Sequence, residues 1–87
     1  MNTFLLIISS PDGDIFRVEC CKLDVRSTEG DLGLMAGHIP FACAVVPCEC
    51  KILLPNDEEK IAKTQGGLLT VDKNSVTFIS GTFEFID

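Results

Sequence analysis

IFRVECCKLDVRS, residues 15–27, decides the fold. Phe16, Val18 and Cys20 alternate with Arg17 and Glu19, the two-residue period of a strand with one wet face. Leu23 and Val25 continue the alternation on the opposite parity. A continuous strand cannot change faces without an extra residue, so the sequence predicts one strand over 15–27 with a bulge near Cys21–Lys22. On the amino-terminal side, FLLIIS at 4–9 is a β-rich apolar run closed by the turn residues of SPDGD.

The same rhythm continues to the end of the chain. Short strands are predicted at 32–35, 41–46, 50–54, 60–64, 68–71 and 76–80, separated by PCE, PNDEE, QGG and DKN. TFEFID alternates as a last edge strand would. Nowhere do apolar residues recur at i, i+3, i+4 and i+7 over two helical turns. Turn signals every eight to twelve residues read as an all-β sandwich or barrel, and 87 residues allow one domain, residues 1–87. Strand parity puts Phe4, Leu6, Ile8, Phe16, Val18, Val25, Leu69, Val71, Val76 and Phe78 between two facing sheets.

Composition narrows the function. The chain is 46% hydrophobic and 23% charged, too apolar for disorder. Thirteen acidic and seven basic residues leave a net charge of −6, which disfavours nucleic acid and anionic membrane surfaces and suits a basic protein partner. The longest apolar runs, 4–8 and 41–46, fall far short of the roughly 20 residues of a spanning helix. The first ten residues lack the basic start and the apolar length of a signal peptide, so the protein is expected to stay where it is made.

Chemistry is sparse. The five cysteines, at 20, 21, 43, 48 and 50, have no C-x-x-C spacing, and reduced thiols without metal or disulfide are expected. A nucleophile would have to be Cys43 or a serine, served by the single histidine, His38, and oriented by Asp31 or Glu29. No helix start is available to lower a thiol pKa. EGDLGLMAG, residues 29–37, is no phosphate loop: it fits neither glycine motif, lacks the lysine, and carries acids that repel phosphate. What it does offer is Gly30, Gly33, Gly37 and Pro40 jointing a run of apolar residues, the pattern of a contact site. The residues alone lead to a β-sandwich that docks on protein partners.

Three stretches carry a resemblance. TEGDLGLMAGHIPF is similar to the S/T-E-G-E-x-G-x-x-P-G-H-x-P-L segment of the epsilon subunit of rotary F-type ATP synthases, called delta in mitochondria. GGLLTVDKNSVTFIS resembles its second signature, G-G-x-L-E-V-x-x-N-x-V-T-x-L-A, and TFLLIISSPDGDIF resembles the family start. The matches run in order over nearly the whole chain. The resemblance implies a ten-stranded antiparallel β-sandwich at the foot of the central stalk, without catalysis or cofactor. There it would lock the gamma subunit to the c-subunit ring, so that ion-driven rotation reaches the catalytic head, on the cytoplasmic face of the cell membrane. It implies a ring contact for Glu29, Gly30 and Asp31, a gamma contact for His38 and Cys43, and structural roles for Gly33, Gly37, Pro40, Gly66 and Gly67.

The sequence departs from the pattern at Ala36, where the family has proline, at Val46-Pro47-Cys48 for K-P-G, and at Gln65 for serine. Leu5 and Ile7 stand at often-polar positions, which implies extra contact area on their face. The family's C-terminal two-helix hairpin begins where this chain stops, so an ATP-sensitive brake is not expected of residues 1–87. The alternatives are an unrelated β-sandwich adaptor and a small enzyme using Cys43 and His38.

Overall fold

In the computed structural model, which describes residues 2–37 and 39–86, the described residues form ten strands and no helix. They are β1 (Phe4–Ser10), β2 (Gly13–Cys20), β3 (Lys22–Ser27), β4 (Gly30–Met35), β5 (Phe41–Val45), β6 (Cys48–Leu53), β7 (Glu59–Thr64), β8 (Gly67–Val71), β9 (Ser75–Ile79) and β10 (Glu84–Phe85). The strands form one continuous ladder that folds over on itself. One layer runs β4-β3-β6-β7-β10 and the other β5-β8-β9-β1-β2. The layers join where Ser27 of β3 bridges Val45 of β5. Every pair is antiparallel except β1 with β9. Parallel neighbours need a long connection, and here the whole run from β2 to β8 provides it.

The stretch 15–27 resolves differently from its reading. Instead of one bulged strand there are two, β2 in one layer and β3 in the other, with Cys21 between them. The change of parity is a change of layer: each apolar set faces the interior, from opposite sides. Cys20 and Cys21 are both buried at the crossing, and the Cys21 N–H donates to the Leu53 carbonyl at 2.7 Å. The register irregularity sits elsewhere, between Ile8 and Ser9 opposite β2.

Of the expected core, Phe4, Leu6, Ile8, Val25, Leu69, Val71, Val76 and Phe78 are buried. Phe16 and Val18 are half-buried and pack against that core, because β2 is the outermost strand of its layer. The facing layer supplies Leu23, Leu34, Cys50 and Ile52, all fully enclosed. The open side between β2 and β10 is closed by rings: Phe16 meets Phe85 edge-on at 5.0 Å, and Phe83 meets Phe85 at 5.2 Å.

A buried hydroxyl cluster ties the QGG turn to the last strands. The Thr64 and Ser80 hydroxyls lie 2.9 Å apart, Ser80 donates to the Gly66 carbonyl at 3.0 Å, and the Gly66 N–H donates to Thr64 at 3.0 Å. Gly66 has a φ of 121°, and a β-carbon there would stand 2.5 Å from the Val45 carbonyl oxygen. A β-carbon on Gly67 would collide with the Ile79 carbonyl oxygen. Only hydrogen fits at either position.

Gly67→Ala should therefore destabilise the chain by about 1–3 kcal/mol, since backbone must shift to make room. Gly33→Ala should change it by less than about 0.5 kcal/mol, because its β-carbon meets only the side chains of Asp24 and Lys22. Thr64→Val leaves the Gly66 N–H without its partner and should cost about 1–3 kcal/mol. Urea midpoints of the three variants decide; equal midpoints for Gly33→Ala and Gly67→Ala would contradict the packing described.

Candidate docking site

The segment 29–41 is a strand with a turn at each end. Its first turn, Ser27–Gly30, closes the β3–β4 hairpin. The Glu29 N–H donates to the Ser27 hydroxyl at 3.1 Å, and that hydroxyl donates to the Gly30 carbonyl at 3.0 Å. Gly30 takes a φ of 120°, which side-chain-bearing residues rarely adopt. Ser10–Gly13 repeats the device at the β1–β2 turn. Sequence-local chemistry thus builds both tips.

Glu29 and Asp31 are exposed at this tip. Asp31 accepts a 2.9 Å hydrogen bond from Arg26 Nε across the hairpin, and the bonded carboxylate raises the Arg26 pKa further. Both side chains remain mostly in water, so the pair orients the carboxylate more than it stabilises the fold.

Five strand steps from Gly30 to Met35, about 17 Å, separate this tip from the second turn. Gly37, with a φ of 87°, and Pro40 flank it. His38 lies outside the described residues. Here Met35 is 58% exposed and Ile39 83% exposed, beside the partly exposed Phe41. The charged and the apolar features that sequence proximity places together thus stand at opposite ends of β4.

Cys43 sits on β5 opposite Leu69, half-buried and packed against the core. Burial, then the charge of Glu29, pushes its thiol pKa up. A thiol held protonated is a poor nucleophile. Among the described residues no three His, Cys, Asp or Glu side chains gather as a metal site.

The alternation of β5, β8 and β9 reveals a surface that sequence reading found only in part. Ala44, Leu68 and Ile79 lie in register across three strands, with Leu68 48% and Ile79 42% exposed. The next row runs Ala42, Thr70, Thr77 and Ile7. This outer face carries no charge from β5 to β1; charges return on β2 with Arg17 and Glu19. Leu5 and Ile7 belong to it, as their unusual apolarity implies. Leu68 was legible too, since Leu68 and Leu69 are adjacent and a strand can bury only one of them. The opposite layer is charged outside: Lys22 pairs with Asp24 at 3.6 Å, beside Arg26 and Lys51.

Residues 3–86 match the family model of the ATP synthase delta/epsilon chain β-sandwich domain. ATP synthase epsilon chains from three strains of Clostridium perfringens are each 33% identical over 85 residues, covering 98% of this chain and 64% of theirs. The chain thus spans just under two thirds of the length of these relatives. Among solved structures, a chain of the Euglena gracilis mitochondrial ATP synthase, an OSCP/F1/c-ring assembly, superposes with a TM-score of 0.89 at 19% identity, over 98% of this chain and 56% of that one. A chain from the Tetrahymena thermophila mitochondrial ATP synthase central stalk and c-ring gives 0.74 at 13% identity, over 91% and 63%. At such identities the structures show a shared fold, whereas the family match and the curated relatives show descent. The chain belongs to the ATP synthase delta/epsilon chain β-sandwich family.

Proposed function

We propose that the chain is a non-catalytic rotor subunit of a rotary ATP synthase, joining the gamma subunit to the c-subunit ring at the cytoplasmic face of the cell membrane. The observation that carries this reading is the uncharged outer face of β5, β8, β9 and β1, with Leu68 and Ile79 nearly half in water. An uncharged face on a small domain, with two half-exposed aliphatic side chains side by side, suits a partner. Gamma is assigned to it, with Cys43 and His38 as the contact residues that the family resemblance implies. The Ser27–Gly30 tip, with Glu29 and Asp31 exposed, is assigned to the polar loops of the ring. Its carboxylates suit basic or amide groups there.

Two substitutions separate the contacts. Leu68→Glu places a charge at the centre of the apolar face while its own side chain stays clear of the core. It should abolish co-purification of gamma without lowering the chain's own thermal midpoint. Undiminished capture of gamma by Leu68→Glu refutes the assignment of this face.

Asp31→Lys should lower ion-coupled ATP synthesis in reconstituted vesicles by no more than about fivefold, since an exposed pair contributes about 0.2–1 kcal/mol. Hydrolysis by the detached head should be unchanged. Equal coupling in mutant and parent vesicles counts against the ring contact.

A further inference from the structure

β6 opens with Cys48, Glu49 and Cys50. Strand alternation sends both thiols to the inner side and Glu49 outward. Accordingly Cys50 is fully enclosed, Cys48 is half-buried and Glu49 is exposed. Neither cysteine is in a disulfide, and the strand explains why. Two strand steps hold the β-carbons about 6.6 Å apart, whereas a disulfide needs about 3.5–4.5 Å. Pairing of Cys48 with Thr64 and of Cys50 with Ala62 on β7 keeps the strand from puckering to close the difference.

A one-atom bridge fits where a direct bond does not. With metal–sulfur bonds of about 2.3 Å, a linear S–M–S unit separates the sulfurs by about 4.6 Å. Such a spacing suits two thiols projecting side by side from alternate residues. Burial first, then the charge and hydrogen bond of Cys48, push the Cys50 thiol pKa up, so an ion must displace a firmly held proton. Zinc would require two more ligands, and among the described residues no third His, Cys, Asp or Glu joins the pair. Soft thiolates select soft ions, and Cu(I) is satisfied by two.

We propose that Cys48 and Cys50 form a two-coordinate site for a monovalent soft cation of the Cu(I) class. Loading exchanges two S–H bonds for two metal–sulfur bonds and releases two protons to solvent, with no change of oxidation state. The entry path is a groove of about 660 Å³ between β3, β4 and β6 that Cys48 lines. It is open because β6 parts from β3 beyond the Asp24–Lys51 pair and because Gly33 contributes no side chain. On its walls Asp24 and Asp31 are paired with Lys22 and Arg26, which leaves the Glu49 carboxylate unpaired with either of these bases. Lys51 lines the same groove from β6. The Arg26 N–H already donates to Cys48 Sγ at 3.4 Å, and a thiolate accepts that bond more strongly than a thiol. A bound ion therefore clamps the corner where β3 passes from β6 to β5.

Anaerobic titration of the full chain with Cu(I), against bicinchoninate as competing chelator, tests the site. One ion per chain is expected, with two sulfur neighbours by X-ray absorption, two protons released and a raised thermal midpoint. Cys48→Ser should weaken binding at least a hundredfold, and so should Cys50→Ser. The Cys20→Ser, Cys21→Ser and Cys43→Ser variants should each retain it. Cys48 is half-exposed, so Cys48→Ser decides the matter even where Cys50→Ser fails to fold. Retention of the ion by Cys48→Ser, a third sulfur neighbour, or complete loss of copper to the chelator overturns the proposal.

Discussion

The fold depends on one shared strand edge. β3 gives one side to β4 along its full length. It divides the other between β6, through Lys22–Asp24, and β5, through Ser27. Two further bonds complete the handover, from Val46 N–H to the Arg26 carbonyl at 3.0 Å and from Thr28 N–H to the Ala44 carbonyl at 3.2 Å. Since no strand can pair with two neighbours on one edge at the same residues, the chain between Val45 and Cys48 must turn a corner there. The same corner forbids a side chain at Gly66, which lies under the Val45 carbonyl. A local hydrogen-bonding rule thus sets the fold-over of the whole ladder, and with it the meeting of Phe16 and Phe85 at the far side.

What the sequence revealed and what it concealed divide along the range of the interactions involved. Period-two alternation and turn residues are local, and apart from reading β2 and β3 as one strand they locate the strands to within a few residues, including the short β10. The parity switch at Cys20–Leu23 was legible as an event but not as its cause. A bulge and a change of layer leave the same trace in one strand, and only the partners, β1 for one half and β4 and β6 for the other, tell them apart. The Thr64–Ser80 hydroxyl pair joins residues sixteen apart and has no sequence signature. The parallel β1–β9 pairing is equally invisible, since parity is the same for either strand direction. At the candidate site, the glycines and acids of the tip were readable because a serine–glycine turn is self-contained. The apolar face was readable only at Leu5, Ile7 and Leu68, because Ala42, Ala44 and Ile79 look like ordinary strand residues until register aligns them.

The two outer faces divide the chemistry. Five of the chain's seven basic residues, Lys22, Arg26, Lys51, Lys60 and Lys63, lie on β3, β6 and β7, within the layer whose outside is charged. The facing layer is uncharged across four strands. A domain of 87 residues buries too little surface to hide all its apolar residues, and the one-sided distribution of charge is what the proposed docking face requires. In the proposed docking, the uncharged face seats against gamma and the charged hairpin is left at the rim for the ring.

Placement of the two candidate contacts on one strand has a mechanical consequence for the rotor reading. β4 carries the acidic tip at one end and the apolar turn at the other, and it is paired to β3 at all six of its residues, from Lys22 opposite Met35 to Ser27 opposite Gly30. A lateral load applied at one end is therefore resisted by a ladder of backbone hydrogen bonds rather than by a flexible loop. β3 passes the load into both layers, through β6 and through β5. Gly33 keeps the backbone of this strand close to the Lys22 and Asp24 side chains, whose ion pair spans it from above. Stiffness in that direction is the property a coupling subunit requires, and a loop carrying the same residues would yield before it transmitted force.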